Sequence, residues 1–138
     1  MLLKDVIVDT GPLVALLDKR EPMHTPVVQK LAEISLPMLT CEAVISEALF
    51  LLQRASRGQE GLLSLLRGGQ LEVRFDLSSE LEPVLDLIER YQSVPASLAD
   101  AELVRLAELY PNSSVFTLDS DFQIYRKNRD VPIPLISL

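Results

Sequence analysis

Four carboxylates in this sequence stand where the local pattern leads to something else. Asp9 closes the β-branched run Val6, Ile7, Val8, and Asp119 closes Ser114–Leu118 in the stretch VFTLDSDF. Both sit at the ends of strand-like segments, where open α/β sheets place their ligands. Glu47 and Asp100 fall on helix-like segments. At 100° per residue, Glu47 lies at the edge of an apolar stripe, with Ala43 and Phe50 on one side and Val44 and Leu51 on the other. Asp100 stands among Leu103, Val104 and Ala107, while Glu102, Arg105 and Glu108 take the opposite, solvent-facing side. Glu42 likewise falls on a solvent face. If the four acids converge, each like-charged pair near 4 Å costs about 4 kcal/mol at an effective dielectric of about 20, so an ionised cluster requires cations. Donors that are all oxygen favour Mg²⁺ or Mn²⁺. The single His24 and single Cys41 cannot assemble a zinc site.

Each acid has an ordinary structural alternative. Asp9 can cap a helix, Glu47 can pair with Arg54 seven residues on, Asp100 can close a capping box with Ser97, and Asp119 can form a turn. A carboxylate has two oxygens, so Asp100 can cap and bind at once. Asp121, two residues past Asp119, reads as a second acid of the same group or as a capping charge on a following helical turn.

The elements that must position these side chains follow in order. Residues 4–9 read as a strand and 11–17 as a short helix, with Thr10 as N-cap and Pro12 in the first turn. A helix over 26–34 and a brief strand over 36–39 come next. Thr40 is placed to cap a third helix reaching Ala55, and Gly58 and Gly68–Gly69 bracket a fourth. Leu71, Val73 and Phe75 alternate with Glu72, Arg74 and Asp76 as a third strand. Ser79–Glu82 and Ser97–Asp100 have capping-box spacing and open helices to about Tyr91 and Leu109. Ser114–Leu118 is a fourth strand, Asp119–Arg126 a helical turn or two, and Ile133–Ile136 a Pro-limited edge strand. Strands alternating with helices imply an α/β fold, a mainly parallel sheet covered on both faces.

The 138 residues predict one domain, and 48% hydrophobic with 24% charged residues is ordinary globular composition. Charges at Asp5, Asp9, Asp18 and Lys19 interrupt the N-terminal apolar run, which predicts neither a membrane span nor a signal peptide. One cysteine suits a reducing, cytoplasmic setting. The net charge of −7 argues against non-specific nucleic-acid binding through surplus cations. It remains compatible with a nucleic-acid enzyme whose metal ions attract phosphate, or with a cationic partner.

The segments VDTGPLVALLD, ISEALFLLQR, ERYQSVPASLADAELVRLAE and VFTLDSDF resemble, in order, the four acidic motifs of PIN-domain nucleases, and over nearly the whole chain. The resemblance is nearest to the toxin ribonucleases of VapBC toxin–antitoxin pairs. It implies that Asp9, Glu47, Asp100 and Asp119 bind metal, that Asp121 is an auxiliary acid, and that Thr10 and Thr117 are hydroxyl partners of the site. It also implies a five-stranded sheet in the order 3-2-1-4-5, a PIN-like sandwich in which strands one and four end side by side. The implied activity is Mg²⁺- or Mn²⁺-dependent hydrolysis of RNA, leaving a 5′-phosphate and a 3′-hydroxyl. The implied partners are an RNA substrate, a cognate antitoxin laid in the acidic groove, and a second copy in a homodimer.

A non-catalytic PIN-fold module binding RNA or protein is the alternative. A phosphoacceptor receiver would need a lysine near the end of a late strand, and none stands near Asp119. A Mg²⁺-dependent phosphatase would carry a second Asp where Gly11 stands. His24 and Cys41 read as structural residues. Arg54, Arg57 and Arg67, and then Arg126, Lys127 and Arg129, read as solvated surface or as an RNA-contacting rim.

Overall fold

A computed structural model describes residues 1–138. In chain order the elements are β1 (Val6–Val8), α1 (Thr10–Leu17), α2 (His24–Leu31), β2 (Met38–Thr40), α3 (Glu42–Leu51), α4 (Gly58–Arg67), β3 (Leu71–Val73), α5 (Leu81–Arg90), α6 (Leu98–Leu109), β4 (Ser114–Phe116), a 3₁₀ turn (Ser120–Gln123), β5 (Arg126–Lys127) and β6 (Val131–Pro132). Four strands form a parallel sheet in the order β3-β2-β1-β4. Ile7 is in register with both Leu39 and Val115, which puts the C-terminal ends of β1 and β4 side by side. All of β1 and β2 is buried, as the unbroken apolar runs of a parallel sheet require. Helix α1 packs on α2, α3 and α4, whereas α6 packs on α5, β1 and β4 and also meets α3.

The expected five-stranded sheet is cut to four. β5 and β6 pair antiparallel with each other in a separate two-stranded sheet. The segment expected as an edge strand over 133–136 makes a single parallel bridge to β4, Val115 with Leu135. Val115 N–H donates to the Pro134 carbonyl at 2.8 Å and Ile136 N–H to the Val115 carbonyl at 3.0 Å. The next donor toward the N-terminus would be residue 134, a proline with no N–H, so the ladder stops there.

Helix starts also differ from the sequence expectations. Asp9, not Thr10, is the N-cap of α1, and Thr10 is its first helical residue. Thr40 ends β2, and its hydroxyl donates to the Val8 carbonyl at 3.0 Å, tying the two strands together and leaving Cys41 as an N-cap without a side-chain bond. Asp76 accepts from Ser78 N–H at 3.1 Å and from the Ser79 hydroxyl at 2.7 Å. That turn occupies the would-be cap of α5, which starts instead at Leu81. The Ser97–Asp100 capping box of α6 forms in both directions, each bond 3.0 Å. Helix α2 begins and ends earlier than expected, and α3 stops at Leu51. No helix is long and apolar enough to cross a membrane.

Candidate active site

An open cleft of about 620 Å³ lies at the C-terminal ends of β1 and β4, and Asp9, Glu47, Asp100 and Asp119 all line it, with Thr10 and Ser97. Four separate elements deliver the acids. β1 hands Asp9 to the start of α1, α3 carries Glu47, the first turn of α6 carries Asp100, and the loop after β4 carries Asp119. Gly11 lets the start of α1 lie against that loop, since a Cβ there would meet the Leu118 Cβ at 3.3 Å.

Asp9 is the most enclosed of the four, 8% exposed. One carboxylate oxygen accepts from Thr10 N–H at 2.7 Å, the other from the Thr117 hydroxyl at 2.8 Å. Burial pushes its carboxyl up to about 6, and the Asp100 and Glu47 charges add to that, while the two hydrogen bonds pull the other way. The Thr10 hydroxyl donates to Glu47 Oε2 at 3.2 Å. Both threonines therefore touch the acids, Thr10 joining α1 to α3 and Thr117 joining β4 to β1.

Glu47, expected at the edge of an apolar stripe on an inward helix face, is exposed. Its neighbours Phe50 and Leu51 are themselves 67% and 50% exposed, so the apolar stripe of α3 opens onto the cleft on this side. No ion pair with Arg54 forms; that residue's carbonyl instead accepts from Arg20 at 3.2 Å.

Asp100 is half-buried and uses one oxygen to cap Ser97 N–H. The same oxygen lies 3.5 Å from the Tyr125 hydroxyl. Burial and the charges of Asp100, Asp121 and Asp119 push that phenol above its usual range. The sequence carries no signal for Tyr125, whose position three residues after DSDF and ahead of the basic Arg126–Lys127 belongs to no periodic pattern. Asp119 is exposed, donates its N–H to the Thr117 hydroxyl at 3.0 Å and accepts from Asp121 N–H at 2.9 Å. Asp121 does not line the cleft.

These bonds engage one oxygen each of Glu47, Asp100 and Asp119, leaving the other free. The donor set is hard oxygen throughout, which fits Mg²⁺ or Mn²⁺. As arranged, no three of the carboxylates gather closely enough to hold one ion. Like charge at short range favours such separation.

The sequence matches the PIN domain model over residues 6–128. The chain belongs to the PIN-domain family. It is 30% identical to Ribonuclease VapC26 of Mycobacterium tuberculosis over 118 residues, covering 83% of this chain and 86% of the relative. Its fold matches the crystal structure of Mycobacterium tuberculosis VapC20, a sarcin-ricin loop cleaving toxin, with a TM-score of 0.78 at 18% identity, covering 91% of this chain and all of that one. It is thus a VapC-like PIN domain, with the four-stranded sheet described above.

The remaining side chains of this PIN domain divide between packing and surface. His24 Nδ1 lies 2.7 Å from the Ala15 carbonyl and joins α2 to α1. Arg126 gathers the carbonyls of Gln123, Ile124 and Tyr125, and Lys127 is buried with its ammonium on the Pro111 carbonyl at 3.2 Å, so neither is a free rim cation. Arg54 and Arg57 stand at a corner shared with Lys19, Arg20, Asp18 and Glu60, and Arg67 lies at the other end of α4. Cys41 is fully buried and its thiol is pushed up to about 12 by burial. Glu102, expected on a solvent face, is only 4% exposed, because the start of α3 and the loop after β3 close over that side of α6.

Proposed function

We propose that this protein is a single-domain, metal-dependent endoribonuclease, the toxin of a toxin–antitoxin pair, with residues 1–138 forming one PIN unit. The convergence of Asp9, Glu47, Asp100 and Asp119 from four elements into one cleft carries this reading. The likeness to a protein named a ribonuclease and to a toxin that cleaves the sarcin-ricin loop supports RNA as the substrate.

Asp9, Glu47, Asp100 and Asp119 would hold Mg²⁺ or Mn²⁺, with Asp121 as an outer acid supporting Asp119. When bound, the cation supplies acidified water and positive charge against the phosphate. The chain's own groups fix the geometry. Thr117 and the Thr10 N–H hold both oxygens of Asp9 in one orientation, and the Thr10 hydroxyl ties Glu47 to the same helix end. The capping box pins the Asp100 side chain while leaving it an open oxygen. With a net charge of −7 and no Lys, Arg or His lining the cleft, bound cations would supply the positive charge that meets RNA there. A cognate antitoxin seated over the acids, a homodimer and a cytoplasmic location complete the proposal.

Incubating the purified protein with a pool of structured RNAs, with Mg²⁺, with Mn²⁺ and with EDTA, tests it. Cleavage that needs the metal and leaves 5′-phosphates is expected. Intact RNA under every condition, with binding retained, would instead identify a non-catalytic module.

A further inference from the structure

Beside the cleft lies a second cavity of about 450 Å³ that shares none of its lining residues. It sits at the C-terminal ends of β2 and β3, walled by the N-terminal halves of α3 and α6 and the loop after β3. Helices α3 and α6 each turn one acid to the cleft, Glu47 and Asp100, and another, Glu42 and Glu102, to this cavity. Asp76 adds a third carboxylate, and no Lys, Arg or His lines the space.

Glu102 is the anomaly. It is a carboxylate on a residue 4% exposed, it opens into the cavity, and its one hydrogen-bonding neighbour is the Cys41 thiol, a weak donor. The one charge that acts on it is that of Glu42, which is of the same sign. Its stem is enclosed while its oxygens open into the cavity, and a carboxylate so placed is ordinarily met by a cation or by strong donors. Here the fold supplies neither, although Asp76 next to it is satisfied by Ser78 and Ser79.

We propose that this cavity is the docking pocket for an arginine side chain of a partner polypeptide. Its walls combine acids with the apolar Phe75 and Leu98, the surface that an arginine's methylene stem and guanidinium together require. A planar guanidinium presents paired donors to carboxylates and is weakly hydrated, so it suits a half-apolar site better than an ammonium does. A bare metal ion would leave most of the volume unfilled, and the three carboxylates do not gather closely enough to hold one. RNA phosphate is repelled by three carboxylates with no cation among them.

The test is backbone amide NMR on the full chain, titrated with N-acetyl-arginine amide and, in parallel, with the neutral isostere N-acetyl-citrulline amide. Saturable shifts at Phe75, Ser78 and Leu98 with the arginine probe, and none with citrulline, are expected. Glu102→Gln is expected to weaken them about tenfold or more, the scale of one lost charged hydrogen bond. The exposed Glu42→Gln gives the same direction of change and serves if the buried variant does not fold. Flat titrations, equal response to citrulline, shifts confined to Thr10, Ser97 and Leu118, or binding unaltered by both variants would each overturn the proposal. So would Mn²⁺ broadening Phe75 and Ser78 before the amides of the four-acid cleft. The readout involves no cleavage, so the pocket stands or falls apart from the nuclease reading.

Discussion

The Thr117 hydroxyl donates to Asp9 across the β1–β4 pair at 2.8 Å and accepts from Asp119 N–H at 3.0 Å, so one side chain orients two of the four acids. Removing the hydroxyl while keeping the shape separates its roles. Thr117→Val is expected to cost about 1–3 kcal/mol, because a mostly buried carboxylate oxygen loses its donor. Thr117→Ser should recover most of that loss in thermal denaturation, and cleavage should follow the same order.

Burial of Asp9 makes the metal-free protein sensitive to pH. Its carboxyl titrates at about 6 when folded against an ordinary 3.8, so between those values the folded state holds a proton that the unfolded chain has released. This group's stabilisation is complete below about 3.8 and is lost as the pH rises through about 6. The full loss is about 3 kcal/mol at most, since one unit is about 1.4 kcal/mol. In EDTA, Asp9→Asn should therefore gain stability over the native chain as the pH goes from 4 to 7, while losing cleavage in Mg²⁺. A thermal-melt difference between the two that stays flat across this range would contradict the burial argument.

Asp100 caps and lines the cleft at once, and two substitutions pull these apart. Asp100→Asn keeps an oxygen for Ser97 N–H and should fold with little change while losing cleavage. Ser97→Ala removes the reciprocal bond to Asp100 N–H, with an expected cost of about 1 kcal/mol and partial activity. Melting curves and cleavage rates for the pair check both statements.

The two acids of DSD are expected to differ in kind. Asp119 lines the cleft, so Asp119→Asn should reduce the cleavage rate sharply. Asp121 does not line the cleft; its N–H bonds Asp119 and its charge acts on Tyr125 beside Asp100, and Asp121→Asn keeps that backbone bond. Its effect should stay within the roughly 10–100-fold range of outer supporting groups. Equal losses in a side-by-side rate measurement would move Asp121 into the first rank.

Away from the cleft, Arg105 joins Glu80 at 2.7 Å and Glu108 at 3.1 Å, and Glu108 in turn holds Asn128 N–H at 2.6 Å. Arg105→Ala leaves two half-buried acids without a cation and should lower the melting point. Cleavage per folded molecule should be unchanged, since none of these groups lines the cleft.

The four acids and their elements were readable in sequence because their signals are local. A carboxylate that ends a β-branched run or breaks a 100° apolar periodicity is visible within a few residues, as at Asp9 and Asp100, and the Ser97–Asp100 box needs only its own helix turn. What depended on packing was hidden. Thr40 reads as a cap until the Val8 carbonyl is found beside it, and the Pro-limited edge strand is seen to shrink to one bridge only once its register on β4 puts Pro134 at the next donor position. Glu102 reads as solvated because its own helix places it opposite Asp100. Only the docking of α3 and the loop after β3 encloses it, just as only the opening of α3 toward the cleft leaves Glu47 exposed. Periodicity states which face a side chain occupies; whether that face meets water or another element is set by segments distant in the chain.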